Sequence, residues 1–261
     1  MKSIHTFVVL AYKESNYLED CIKSVLHQSY KTNVVIATTT ENKFISDLAN
    51  KYNIKVIVGK HTNIGGDFDF AKNCVDTKLV TIAHQDDVYD YDYAKTVVEE
   101  YNKHNDATII FTDYYEIKSN QKVCKNTNLR IKRLLLSPLK IKGLSGRKFI
   151  KRLSIRFGNA ICCPAVTFVN DNCPKSVFEA DYKANIDWVA WEKLSKFKGK
   201  FIYNKHCLMG HRISQETTTT DIINQGIRTK EDYELLCKFW PKWLAKFINK
   251  FYKKAEKSNN E

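Results

Sequence analysis

The sequence is poor in the residues that interrupt or staple a chain. Its 261 residues include only 9 glycines and 4 prolines, which excludes a collagenous, low-complexity or linker-dominated protein. The eight cysteines (21, 74, 124, 162, 163, 173, 207 and 237) form no Cys-x-x-Cys pair. Zinc spacings are therefore missing, including for any set drawn from Cys162, Cys163, Cys173, His206 and Cys207, and the cysteines read as small hydrophobes in a reducing compartment. Long apolar runs are also absent. The opening one, Phe7 to Ala11, is followed at once by Lys13 and Glu14. It is too short for the apolar core of a signal peptide and far below the ~18 residues of a membrane span, so a cytoplasmic protein is expected. Acidic residues are the minority: 29 Asp and Glu stand against 42 Lys and Arg, a net charge of +13. An acidic partner follows, whether a phosphate-bearing substrate, an anionic membrane surface or nucleic acid.

What is present is an alternation of short apolar runs and helical patterns. Ile4 to Tyr12 reads as a strand buried on both faces. Ser15 is placed to cap a helix carrying Leu18, Ile22, Val25 and Leu26. Val34 to Ala37, Ile54 to Val58, Leu79 to Ala83 and Ala107 to Phe111 read as further strands. Phe44, Ile45, Leu48 and Ala49 mark a helix, and Gly65-Gly66 reads as a turn into another with Phe68, Phe70 and Ala71. This order predicts an α/β fold with a mostly parallel, doubly wound sheet. From 118 to 160 the pattern dissolves into Lys- and Arg-rich sequence. It resumes with a helix over Ile186 to Phe197, a strand over Lys200 to Asn204, a Thr-rich loop and a helical tail from about Asp221. No repeat or linker divides the chain.

Open parallel sheets bind ligands beyond the carboxyl ends of their strands. The first such turn, Ala11-Tyr12-Lys13-Glu14-Ser15, contains no glycine, which excludes a dinucleotide-binding Gly-x-Gly-x-x-Gly fingerprint; a Gly-x4-Gly-Lys-Ser/Thr loop is missing as well. The fourth strand instead ends in His84-Gln85-Asp86-Asp87. Adjacent carboxylates at such a place repel unless water screens them or a cation lies between them, and oxygen ligands of this kind suit Mg²⁺ or Mn²⁺.

With these residues in view, the chain resembles the inverting family 2 glycosyltransferases of GT-A fold. The likeness is carried by Phe7 to Glu14, by the helix Leu18-Glu19-Asp20-Cys21-Ile22-Lys23-Ser24-Val25-Leu26-His27-Gln28-Ser29-Tyr30, by His84 to Asp87 and by Asn185-Ile186-Asp187-Trp188. It implies a Rossmann-like domain over 1–222, with a nucleotide half over about 1–115 and an acceptor half over about 116–222. The remaining residues, 223–261, form a basic amphipathic helical tail. It also implies transfer of a sugar from a nucleotide-sugar to a hydroxyl of a saccharide or lipid-linked saccharide, with Mn²⁺ or Mg²⁺ as cofactor. By resemblance Asp87 is the direct metal ligand, with Asp86 nearer the ribose or donor sugar. Asp187 is the general base. Ala11, Tyr12, Glu14, Thr38, Asp67, His211 and Arg212 join Asp86 as nucleotide-sugar contacts, His211 and Arg212 in a loop closing over the diphosphate. Asp67 equally suits a helix cap, and Asp187 a helix N-terminal carboxylate. Glu192 and Glu216 compete with Asp187 as base.

Two departures stand out. Family members carry Asp-Asp-Gly-Ser after the second strand, where this chain reads Ala37-Thr38-Thr39-Thr40-Glu41, and His84 replaces the first acid of the Asp-x-Asp pattern. In the tail, residues 239–254 interleave Trp240, Trp243, Phe247 and Phe251 with lysines. That composition suits either a helix in a membrane interface, working with the basic 130–153 cluster at the inner membrane face, or a helix packed on the domain. The functional alternative is a non-catalytic basic protein that binds membrane or nucleic acid, which leaves His84 to Asp87 and Asp187 without a purpose; no nucleic acid is expected as partner.

Overall fold

The computed structural model describes residues 3–178, 181–213 and 227–259, with side chains to Lys250. The described strands form one sheet in the order β3-β2-β1-β4-β8-β6-β9-β5, with β7 beside β6. Its first half is the parallel unit expected: β1 (His5–Ala11) lies between β2 (Asn33–Thr38) and β4 (Leu79–His84), and β3 (Lys55–Val58) flanks β2. Burial on both faces explains the unbroken apolar reading of β1, where Phe7, Val8 and Val9 are all fully enclosed. Helices α1 (Leu18–Leu26), α2 (Lys43–Lys51), α3 (Ile64–Asn73) and α4 (Tyr93–Lys103) make the crossovers.

The second half departs from simple alternation. Between β4 and β6 (Ala107–Lys118) lies β8 (Val166–Val169), antiparallel to both. β9 (Lys200–Arg212) then runs parallel to β6, and β5 (Val88–Tyr89) turns back along the end of β9 through Val88 opposite Gly210. Both β6 and β9 outrun the apolar runs that announce them. Register shifts around Thr112, Asp113 and Tyr114 carry the ladder past polar Asn204 to His206, so a bulge accommodates the break in alternation. His211 and Arg212 therefore end a strand and do not sit in a loop. The polar residues after Ile213, through Gly226, lie outside the described residues, Glu216 among them.

Two local readings are corrected. Ser15 does not cap α1: its hydroxyl accepts the Tyr17 N–H and its carbonyl the Leu18 N–H, one turn before the helix, and Tyr17 holds the cap position. Gly65 and Gly66 lie inside the first turn of α3, whose cap is Asn63, Oδ1 accepting the Gly66 N–H at 2.8 Å. A Cβ on Gly66 would stand 2.0 Å from Thr62 Oγ1, so a larger residue there would displace the exposed Thr62 hydroxyl.

The basic stretch left unassigned in sequence holds β7 (Gln121–Val123), α5 (Thr127–Leu136) and α6 (Lys148–Ile155); α7 (Ile186–Leu194) follows β8. The tail forms α8 (Ile227–Cys237) and α9 (Lys242–Asn259). It divides its aromatics. Trp240 packs on the domain, its Nε1 donating to Arg156 O at 2.9 Å with the Arg156 guanidinium over its ring, while Trp243 and Phe247 are 73% and 55% exposed. No described helix is long and apolar enough to cross a membrane.

Candidate active site

Parallel register aligns the carboxyl ends of the first strands, with Ala11 opposite Thr38 and Leu10 opposite His84. Ala11 is buried at the end of β1, and Tyr12 and Glu14 are exposed on the turn beyond it. The Gln85 amide clasps that turn: Oε1 accepts the Tyr12 N–H at 2.9 Å and Nε2 donates to Tyr12 O at 3.1 Å. Lys13 adopts a left-handed backbone (φ 54°) and donates its N–H to Thr40 Oγ1 at 2.7 Å, a conformation uncommon outside glycine and here fixed on both sides. Thr38 is fully buried, and its hydroxyl accepts the Thr40 N–H. Next to it Asp67 Oδ2 accepts from Thr39 Oγ1 at 3.1 Å and lies 2.8 Å from His61 Nδ1, leaving Oδ1 buried and unpartnered. The His61 ring lies 6.5 Å from that of Tyr12.

At the end of β4, His84, Asp86 and Asp87 bring one ligand atom each within 4.8 Å of one another, the one such group among the described residues. The two carboxylates differ sharply in environment. Asp87 is fully buried; its Oδ1 accepts the Arg212 N–H at 2.8 Å and lies 3.0 Å from His211 Nδ1. Asp86 is half-buried, and burial together with the charge of Asp87 pushes its carboxyl up to about 6. Burial pulls the His84 imidazole down to about 4, and its Nε2 has no partner. For His211 burial works against the cation, but the neighbouring Asp87 carboxylate outweighs it and raises the pKa. His84 Nδ1 lies 4.0 Å from Asp87 Oδ2, and the two adjacent carboxylates supply the oxygen donors that suit Mn²⁺ or Mg²⁺.

Arg212 has its guanidinium committed to the protein: Nε donates to Asp86 O, Nη1 to Asn120 Oδ1, and the group stacks 4.1 Å from the Tyr17 ring centre. The fork expected on a diphosphate is thus used to brace the Asp86 backbone.

Asp187 occupies the first turn of α7, with Oδ1 accepting the Trp188 N–H at 2.8 Å and Oδ2 accepting from Asn159 Nδ2 at 2.6 Å. Burial nevertheless raises its pKa, outweighing those two bonds. The segment before it is clamped from the tail. Glu231 accepts the N–H groups of Lys183, Ala184 and Asn185 at 2.7, 2.9 and 2.9 Å, and Asp232 accepts from Asn185 Nδ2. Glu192, the rival considered for base, is buried in ion pairs with Arg152 and Lys196 that hold its carboxyl low against burial. Lys132, in electrostatic range of Asp187 and His211, Glu231, which holds the segment before α7, and His61, beside Asp67, lie near these residues and went unmarked in the sequence. Lysine in a basic stretch and glutamate in a charged helix carry no local mark of inward placement.

A family model described as Glycosyl transferase family 2 matches residues 6–170. Comparison with curated proteins returns no match. Among solved structures, S. aureus TarS 1–349 in complex with UDP-GlcNAc superposes with a TM-score of 0.59 at 12% identity, over 94% of this chain and 70% of that one. Another S. aureus TarS structure gives 0.58 at 12% identity, and this chain spans only 42% of it. The mannosyltransferase PcManGT from Pyrobaculum calidifontis, in complex with GDP-Man and Mn²⁺, gives 0.63 at 9% identity over 90% of this chain and 63% of that one. At such identities the structural likeness speaks for the fold, which is GT-A, while the family model covers well over half of the sequence. The chain belongs to the family 2 glycosyltransferases.

Proposed function

We propose that the protein is an inverting, metal-dependent transferase that moves a sugar from a nucleoside-diphosphate donor to a hydroxyl of a saccharide or lipid-linked saccharide. The observation that carries this reading is the group His84, Asp86 and Asp87 at the end of β4, whose ligand atoms lie within 4.8 Å of one another. The base candidate Asp187 is bonded by Asn159 and the Trp188 N–H, and burial raises its carboxyl. In this reading the acidic cluster and Asp187 face one cleft. The complexes of the structural neighbours with nucleotide-sugars, one with Mn²⁺, support the reading.

In this mechanism Asp187 accepts the proton of the acceptor hydroxyl as its oxygen bonds to the anomeric carbon. The bond to the diphosphate breaks, and its electron pair leaves on the phosphate oxygen. Asn159 and the Trp188 N–H orient the carboxylate. His84, Asp86 and Asp87 would hold Mn²⁺ or Mg²⁺, which as a Lewis acid supplies positive charge at the diphosphate. Asp86, with fewer protein partners, is the better placed of the two carboxylates to ligate. Tyr12, Thr39, His61 and Asp67 would border the base; buried Thr38 then acts through the turn it closes. Exposed Trp243 and Phe247, beside Lys246 and Lys250, support peripheral contact with the inner membrane face.

Thermal stabilisation by UDP, dTDP, GDP and CDP, each with and without Mn²⁺, tests the reading. Metal-dependent stabilisation by at least one is expected; none by any would overturn it.

A further inference from the structure

Helix α5 is pinned to the sheet by Leu129 and Leu136, both nearly inaccessible, while Ile131 and Leu134 face outward. Between them Lys132 turns inward. Its Nζ donates to Tyr114 Oη at 2.8 Å; the buried Tyr114 ring meets that of His211 edge-on at 6.2 Å; and His211 Nδ1 lies 3.0 Å from Asp87. The ammonium therefore stands at the end of a relay that begins at the acidic cluster, and it is also in electrostatic range of Asp187. Among the described residues Lys132 makes no ion pair, and its one hydrogen-bond partner is a neutral phenol, so two of its three donors remain. Other nearby cations are occupied: Arg133 bonds Asp113 and the Cys124 carbonyl, and Arg212 braces the Asp86 backbone. Arg228 also reaches Asp187 electrostatically, from α8 on the tail side.

We infer that Lys132 binds the diphosphate of the donor, at the seam between the acidic cluster and the base. The inference rests on the glycosyltransferase reading of the cleft. Asp86 and Asp87 stand together in the acidic cluster, and Asp187 is in electrostatic range of the same ammonium, so a diphosphate bound there adds to existing negative charge and calls for fixed cations beside a metal ion. A lysine ammonium is a compact, strongly hydrated charge suited to phosphate oxygens. Held by Tyr114, it would meet the charge that grows on the leaving oxygen as the sugar–phosphate bond breaks.

The test measures binding of UDP, dTDP and GDP, and of the matching monophosphates, with Mn²⁺ by calorimetry. The proteins compared are wild type, Lys132→Met and Lys132→Arg. Losing one charge-assisted contact is expected to weaken the diphosphate about tenfold or more in Lys132→Met. The monophosphate should be unchanged and Lys132→Arg should restore most of the loss. Lys132→Gln, which keeps a donor for Tyr114, replaces the Met variant if that does not fold. Equal weakening of mono- and diphosphate, or no weakening of either, would overturn the role of Lys132 alone. A wild type that binds no nucleoside diphosphate would overturn the reading of the cleft and this inference with it.

Discussion

Asp87 Oδ1 accepts the backbone N–H of Arg212 at 2.8 Å, joining two strand ends that are 125 residues apart in sequence. The acid that resemblance marks as a metal ligand is thus also a tie within the fold. Replacing it leaves a buried N–H and the His211 ring without their partner, so Asp87→Ala should lose about 1–3 kcal/mol of stability. Asp86→Asn should behave oppositely. Its carboxyl is raised to about 6, so at neutral pH its ionised form opposes folding and its neutralisation holds or raises Tm. Melting curves at neutral pH, with and without Mn²⁺ and nucleotide, check both: Asp86→Asn keeps its fold and loses metal-dependent stabilisation.

Asp187→Asn should abolish transfer by about 10²–10⁴-fold, the usual contribution of a general base, while the protein becomes no less stable. The sign follows from the raised pKa. A carboxyl whose folded pKa exceeds its unfolded value opposes folding above the folded pKa, and the penalty disappears as pH falls below the unfolded one. The Tm advantage of the variant should therefore be present at neutral pH and fade towards pH 4. Buried Asn159 Oδ1, without a partner now, is available to accept from the new amide after a flip. Paired turnover and melting measurements across that range decide the point.

Glu231 holds three consecutive backbone N–H groups just before α7. Glu231→Ala should lower kcat through misplacement of Asp187 and leave nucleotide affinity at the acidic cluster intact. A fall in nucleotide binding equal to the fall in turnover would show general unfolding instead.

Trp243→Ala with Phe247→Ala removes two largely exposed rings, and sedimentation with anionic phospholipid vesicles should drop. Neutral vesicles should bind little in either protein, and added salt should release the wild type. Equal sedimentation of variant and wild type would assign the lysines, and not the rings, to any contact.

The parallel first half of the sheet was legible because β1 and β4 are buried on both faces and the crossovers repeat at one pitch. The acidic ends of those strands were legible for the same reason: topology alone puts them at the mouth. β8 was not, since Val166–Val169 is only four residues, interrupted by Thr167, and its strand character comes from its two neighbours. Lys132 and Glu231 were equally hidden, because what distinguishes them from solvated charges is which side of a helix the domain covers. His211 and Arg212 were singled out by resemblance and misjudged in setting, because Asn204 to His206 break the apolar pattern of a strand that continues through a bulge.

The insertion of β8 has a consequence for synthesis of the chain. Leu79 to Thr81 expose one backbone edge until Thr167 to Val169 arrive to pair with them, so every nascent chain shorter than this carries an open, apolar strand edge. Such edges recruit other chains. A fragment ending near residue 115 would therefore be expected to aggregate, and one carried only through β8 still to present the β6 edge that β9 covers, so that the sheet closes only once Lys200 to Arg212 have been made.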